Sequence, residues 1–295
     1  MKIRLAENFR AVFYAPFYAT HALGFFAREG LEVEFVTSAA PGDAIGGLDD
    51  GKIDLTWGGP MRVMKARDQN PNSTLVCFAE VVARDPFYLV GRADMGEFRL
   101  VDLGSLRFAS VAEVPTPWMC LQHDLRLAGV DPTRLARIAD RSMAENLEAL
   151  RDGRLDVAQM FEPFVARALD QGFGKILYAA SARGPCVYTS LLASRERIAR
   201  DPTLFAAAIR AVGHMQEWLA ARGAFELPAA VATYFTDVPP AVLAAALLRY
   251  GEAGIWAATP EMSRAGFLRL GESLMSGGFL SRPPSYEACV QEGLG

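Results

Sequence analysis

The side chains of this chain that could do chemistry gather at junctions between β-type and helical segments, not in any catalytic pattern. Thr116-Pro117-Trp118 is the clearest junction. Thr116 is expected to cap a helix there, with Trp118 in its first turn. The free N–H groups and positive dipole end of such a helix make a seat for a carboxylate, a phosphate or a polarised carbonyl. Proline recurs near the first helical position at Pro16, Pro41, Pro60, Pro117 and Pro163, where its missing N–H costs nothing and its φ is already helical. Taken singly, each marks only a helix start. Together they suggest a ligand crevice, because in open parallel sheets the carboxyl ends of strands and the helix starts after them line it.

Aromatic residues crowd the same junctions. Phe17, Phe25 and Phe26 belong to a helical core stripe, but Phe9, Phe13 and Tyr14 stand in the loop Asn8–Tyr14, which has no helical period. With Trp118 and Phe161 they are candidate walls for a flat ligand. Arg10 in that loop is a candidate bidentate partner for an anion. Asn8, Ser38, Glu80, Thr116 and Glu162 complete the candidate polar contacts; Glu80, Glu113 and Glu162 each follow a strand, where a carboxylate can accept bonds from ligand amino groups. Gly58-Gly59-Pro60 reads as a tight strand-to-helix turn that lets backbone approach a ligand.

Catalytic signals are poor. His21 lies on an apolar helix stripe, and His123 and His214 are mid-helix, so packing or surface positions are expected for all three. No HExxH, GxSxG, P-loop or GxGxxG occurs. Cys77, Cys120, Cys186 and Cys289 have neither zinc-site nor CxxC spacing and read as idle thiols. No metal and no cofactor is expected.

These junctions need elements to hold them. The 295 residues are about twice the ~150-residue domain mode, so two domains or one large one are expected. A 51% hydrophobic and 22% charged composition is that of a globular protein. No apolar run approaches the ~18–20 residues of a membrane span. Thirty basic against 34 acidic residues, a net charge of −4, leave nucleic-acid binding without its electrostatic source, so no nucleic-acid partner is expected. The start, Met1-Lys2-Ile3-Arg4-Leu5-Ala6-Glu7, alternates like a strand and does not read as a secretory leader. The expected location is periplasmic if a leader has been removed and cytoplasmic if Met1 is the native start.

Over the first 180 residues, strands are predicted at 3–7, 32–36, 53–57, 75–79, 87–91, 107–111, 135–139, 155–160 and 175–178, alternating with helical patterns such as 15–30 and 117–129. Alternation predicts a doubly wound, parallel α/β sheet. Leu48-x-x-Gly51-Lys52-Ile53-Asp54 recurs as Leu150-x-x-Gly153-Arg154-Leu155-Asp156, which suggests two similar lobes. Breaks at Gly91–Ser105 and Ser181–Thr189 are expected to divide them, with residues 1–92 and 188–295 as lobe 1 and 93–187 as an inserted lobe 2. From Pro202 onward a helical tail is expected to wrap lobe 1.

Phe13-Tyr14-Ala15-Pro16-Phe17-Tyr18-Ala19, then Leu23-Gly24-Phe25-Phe26-Ala27-Arg28-Glu29-Gly30-Leu31-Glu32, resembles the opening of the nitrate/sulfonate/taurine and THI5-like solute-binding proteins. Gly42-Asp43, Gly51-Lys52-Ile53-Asp54 and Phe161-Glu162-Pro163-Phe164 stand where that family has similar pieces. The resemblance implies a type II periplasmic-binding-protein fold: two doubly wound α/β lobes around a ligand cleft, with a helical C-terminal tail. It also implies a non-enzymatic monomer that binds a small polar or anionic, planar organic ligand and has an ABC transporter permease as partner. The alternative is a cytoplasmic THI5-like enzyme of pyrimidine (thiamine precursor) synthesis or related aromatic metabolism, although the cysteine-rich motif of the synthase is missing here. A third reading, the effector domain of a transcription regulator, lacks room for a DNA-binding helix-turn-helix at the N-terminus.

Overall fold

A computed structural model describes residues 1–37 and 43–294. The candidate Ser38 and the helix-start proline Pro41 lie outside the described residues. In chain order the first part holds β1 (Lys2–Glu7), α1 (Ala15–Ala22), α2 (Phe25–Arg28), β2 (Glu32–Thr37), α3 (Asp43–Asp49), β3 (Leu55–Gly58), α4 (Met61–Gln69) and β4 (Leu75–Val82). The second holds β5 (Tyr88–Arg92), β6 (Phe108–Ala109), α5 (Thr116–Leu127), β7 (Arg137–Ile138), α6 (Met143–Arg151), β8 (Val157–Met160), α7 (Phe164–Asp170) and β9 (Gly174–Ala179). The last holds β10 (Thr189–Ser194), α8 (Arg195–Arg200), α9 (Pro202–Arg222), α10 (Leu227–Val231), α11 (Pro240–Glu252), α12 (Arg264–Ser276) and α13 (Tyr286–Cys289).

The strands form two five-stranded sheets of the same design. The first runs β2-β1-β3-β10-β4 and the second β7-β6-β8-β5-β9. In each, three parallel strands are followed by one antiparallel to both its neighbours: β10 in the first, β5 in the second. The sheets are therefore mixed, not all parallel. The antiparallel strand is the one that the chain lends from its other half: β5 leaves the first lobe to enter the second sheet, and β10 returns. Tyr88–Arg92, which a division after residue 92 would leave in lobe 1, thus pairs in the second sheet, and the chain passes between sheets at residues 83–87 and 180–188.

The repeat seen in the sequence is a structural clasp used twice. Gly51 and Gly153 close a helix at φ 66° and 69°, a left-handed turn that glycine enters without strain. The Asp that follows then grips the neighbouring strand. Asp54 accepts the Arg4 backbone N–H at 2.8 Å and Asp156 accepts that of Arg107 at 2.9 Å, while Asp54 and Asp156 donate their own N–H groups back to the carbonyls of Arg4 and Arg107. Arg107, with its backbone N–H and Arg92, holds the Asp156 carboxyl down at about 2. Hydrogen bonds from Arg4 and Arg197 outweigh burial and keep Asp54 below the usual range as well.

The segment expected to be one helix over 15–30 is broken at Gly24, whose φ is 74°. The tail also differs from expectation. While α9 and α10 cover α1 in the first lobe, α11 packs on α7 and α12 on α5, both in the second. The tail therefore bridges the lobes.

Candidate functional site

Between the sheets, aromatic side chains from both lobes and both crossings meet. Phe13 lies 5.4 Å from Phe161 and 6.3 Å from Phe87, ring centre to ring centre; Phe87 is 5.2 Å from Phe161 and 6.0 Å from Tyr188; Phe9 is 5.2 Å from Tyr14. Beside them is a cavity of about 30 Å³ lined by Asn8, Phe9, Phe13, Tyr14, Gly59, Met61, Arg62, Phe87, Val114, Thr116, Tyr188 and Thr189. That is space for about one or two water molecules, so the lobes are closed upon each other. A ring enters only when they part or the aromatic walls repack. A larger cavity of about 630 Å³, lined by Phe78, Ile209, 259–262 and 291–294, draws on the first lobe and the tail alone.

Of the sequence-predicted residues, Asn8, Phe9, Phe13, Tyr14, Gly59 and Thr116 line the inter-lobe cavity. Asn8 donates to the Tyr14 hydroxyl at 3.4 Å, and burial pushes that phenol up to about 12. Gly58 ends β3 and Pro60 caps α4, both adjacent to the cavity wall. A side chain at Gly59 would stand 3.4 Å from the Tyr188 carbonyl, so the turn fits closely under the returning chain. Thr116 opens α5, but the cap is Pro115 and no side chain caps the helix. The Thr116 hydroxyl is therefore left for the cavity.

Four candidates are placed elsewhere. Arg10 turns to Glu7, with Nε and Nη2 each 3.0 Å from a carboxylate oxygen, and to the Tyr234 carbonyl at 3.1 Å; the pair three residues away consumes the cation. Glu80 is buried in β4, where one oxygen accepts the Ser263 N–H at 2.8 Å and burial pushes its carboxyl up to about 7. Trp118 packs inside the second lobe, 6.1 Å from Phe108 and with the Arg137 guanidinium 4.3 Å over its ring. Glu162, fully buried, is held by Arg249 and accepts the Ala166 N–H at 2.8 Å, while its own N–H donates to the Tyr250 hydroxyl at 2.9 Å. Phe161 stands in the aromatic cluster but does not line the cavity.

Arg62, Phe87, Tyr188 and Thr189 line the cavity and escaped the sequence reading. The Tyr188 hydroxyl is buried with no hydrogen-bond partner among the described residues, and the buried Thr189 hydroxyl interacts with the Tyr14 phenol. Arg62 makes no ion pair or hydrogen bond among the described residues, and burial lowers its proton affinity. No histidine or cysteine is among the described lining residues: His21 contacts the Tyr234 hydroxyl at 2.7 Å, and the four cysteines are buried and free. Among the described residues no group of His, Cys, Asp and Glu is arranged to hold a metal.

A family model described as NMT1/THI5 like matches residues 12–222. The chain belongs to the NMT1/THI5-like family. Within the curated proteins, YtlA of Bacillus subtilis (strain 168), named provisionally as a binding protein, is 24% identical over 251 residues, 84% of this chain and 75% of its own. Among solved structures, the periplasmic aliphatic sulphonate binding protein SsuA of Escherichia coli superposes with a TM-score of 0.79 at 15% identity, covering 98% of this chain and 97% of SsuA. The desulfurization enzyme DSZB superposes with a TM-score of 0.72 at 12% identity, covering 99% of this chain and 97% of DSZB. At such identities these structures share the fold, which is that of the periplasmic binding proteins.

Proposed function

We propose that the chain binds a small polar or anionic, planar organic molecule between its two lobes and serves as the substrate-binding component of an ABC importer. The observation that carries this reading is the convergence of aromatic walls and unpartnered polar groups from both lobes and both crossings on one closed cavity. Membership of the family, and relatives named as binding proteins, support it. An extracytoplasmic location and a permease partner follow from the same reading. The enzymatic alternative, for which the DSZB-like fold is the support, finds no histidine or cysteine nucleophile on the described cavity wall.

Ligand is then expected to shift an open–closed equilibrium by rotation about residues 83–87 and 180–188, with the contacts of α11 and α12 on the second lobe remade. Native mass spectrometry of the purified chain identifies a carried ligand, and small-angle scattering with and without it reads the motion. A smaller radius of gyration at saturation, with the ligand recovered unchanged, supports the proposal. An unchanged radius, or product accumulating with time, overturns it.

A further inference from the structure

We propose that Arg62 selects the ligand of the inter-lobe cavity, and that the ligand class is a planar organic monoanion whose charged group is a carboxylate or a sulfonate. This rests on the reading that a small molecule binds there. Among the described lining residues Arg62 is the one with a formal charge, and no carboxylate shares the wall. A guanidinium cannot shed its proton to escape burial, and here it has no hydrogen-bonding partner among the described residues. Charge interactions with the Tyr14 phenol and with Asp43 favour its protonated form. Closing the lobes over a neutral or cationic molecule would further desolvate this half-buried cation without giving it an ion-pair partner among the described residues, which is unfavourable. An anion removes that penalty and makes closure depend on its presence.

The opposite wall agrees in sign. Helix α5 has 12 residues and starts at the cavity with no side-chain cap, so its free N–H groups and partial positive charge face the same space. The Tyr188 hydroxyl, on a side chain 6% exposed and without a partner among the described residues, lines that space independently. One guanidinium and about half a charge from the helix balance a monoanion better than a phosphate dianion. The aromatic side chains on the wall require the rest of the molecule to be flat.

The test is thermal-shift and calorimetric titration of the purified chain with benzoate and benzenesulfonate, their neutral counterparts benzamide and benzenesulfonamide, and phenyl phosphate. For the wild type, at least one of the two monoanions should bind ~10–100-fold more tightly than its amide, the range of a charge-assisted bond. Arg62→Gln should erase that difference by weakening the monoanion and leaving the amide unchanged. Arg62→Lys should restore part of it, since it keeps the charge and loses the fork. The unliganded melting temperature of Arg62→Gln should not fall, because no described partner is lost, and this separates the effect from misfolding. Amides binding as well as anions, phenyl phosphate binding best, equal losses for both classes in Arg62→Gln, or no binding by any of the five would each overturn the assignment. A neutral ligand carried through purification, with the expected compaction, would overturn it too and leave the binding-protein reading standing.

Discussion

The two lobes share one plan and use it for different ends. In both, a strand runs through a proline into a helix at the face between the lobes: Gly58-Gly59-Pro60 into α4 in the first, Phe161-Glu162-Pro163 into α7 in the second. In the first lobe the charged residue beyond the turn, Arg62, is left without a described partner on the cavity wall. In the second the charged residue within the turn, Glu162, is spent on Arg249 and on the start of its own helix. Position at the carboxyl end of a strand therefore brings a charged residue to the face between the lobes, and an internal partner decides whether its charge is already spent there. Most of the described wall, Asn8, Phe9, Phe13 and Tyr14 with Gly59, Met61, Arg62 and Thr189, comes from the first lobe, while Val114 and Thr116 come from the second. On the proposed binding reading, such an asymmetry predicts that ligand docks on the first lobe before the second closes over it.

The comparison can be broken most forcefully at Trp118. If it belongs to the interior of the second lobe and not to the cleft, Trp118→Ala should cost about 3–5 kcal/mol of stability, the range for removing a buried aromatic, and leave ligand affinity near that of the wild type. Urea denaturation and calorimetry measure the two quantities. A stability loss below about 1 kcal/mol together with weakened binding would return this residue to the site. Next in size is Glu162→Ala. It leaves Arg249 without its carboxylate, at a cost of about 3 kcal/mol, the lower end for breaking a buried pair, because the Arg249 side chain is 24% exposed. The preference for anionic over neutral ligands should not change. A lost preference would make Glu162 part of the recognition surface, contrary to the distinction drawn between the two turns.

Much of the plan was legible in the sequence, because punctuation is local. Glycine at a helix end and Asp at the next strand start occur at an offset that the sequence displays, and the clasp is built from those same residues. The strand β10 was not legible. Thr189–Ser194 is buried along its whole length and follows a break that reads as a boundary, so it offers no alternation to recognise. Of the residues that line the cavity, Asn8, Phe9, Phe13, Tyr14 and Thr116 were legible because they lie in a loop with no helical period or open a helix. Arg62 was missed because it falls in the first turn of the amphipathic helix α4, where an arginine reads as a solvated face. Two placements had visible signals: Glu7 stands three residues before Arg10, and Trp118, Leu121 and Leu125 share one helical stripe. The Glu162–Arg249 pair spans 87 residues, and no local pattern announces it.

The duplicated clasp allows a prediction with a defined pH window. Asp156 is held at about 2 in the folded chain, against ~3.9 when unfolded. Its contribution is thus present above about pH 4 and is lost as pH falls toward about 2. Asp156→Asn should cost ~1–2 kcal/mol near neutrality, less than the full linkage because its arginine partners are partly exposed and screened. The gap to the wild type should close on acidification. Asp54→Asn should behave with the same sign, since its carboxyl is also held low. A gap that persists unchanged at pH 2 would show that packing, and not charge, holds the clasp.

The smallest expected effect lies at Thr116, and it tests whether the second lobe takes any part in recognition. Its hydroxyl lies at the cavity, unused as a helix cap, and Thr116→Val replaces it with a methyl group of nearly the same size. Because no described hydrogen bond within the protein is lost, stability should be unchanged or slightly higher. A neutral hydrogen bond contributes about 0.5–1.5 kcal/mol net, so affinity for the bound anion should fall roughly two- to tenfold, well short of the loss in Arg62→Gln. Combining the two substitutions distinguishes independent contacts from a shared one. If Arg62 and Thr116 grip the same charged group, the double variant should lose less affinity than the two single losses together, because removing one contact loosens the geometry of the other. Strict additivity would place the anion on the first lobe alone and leave the start of α5 as a lid that closes over it without touching it.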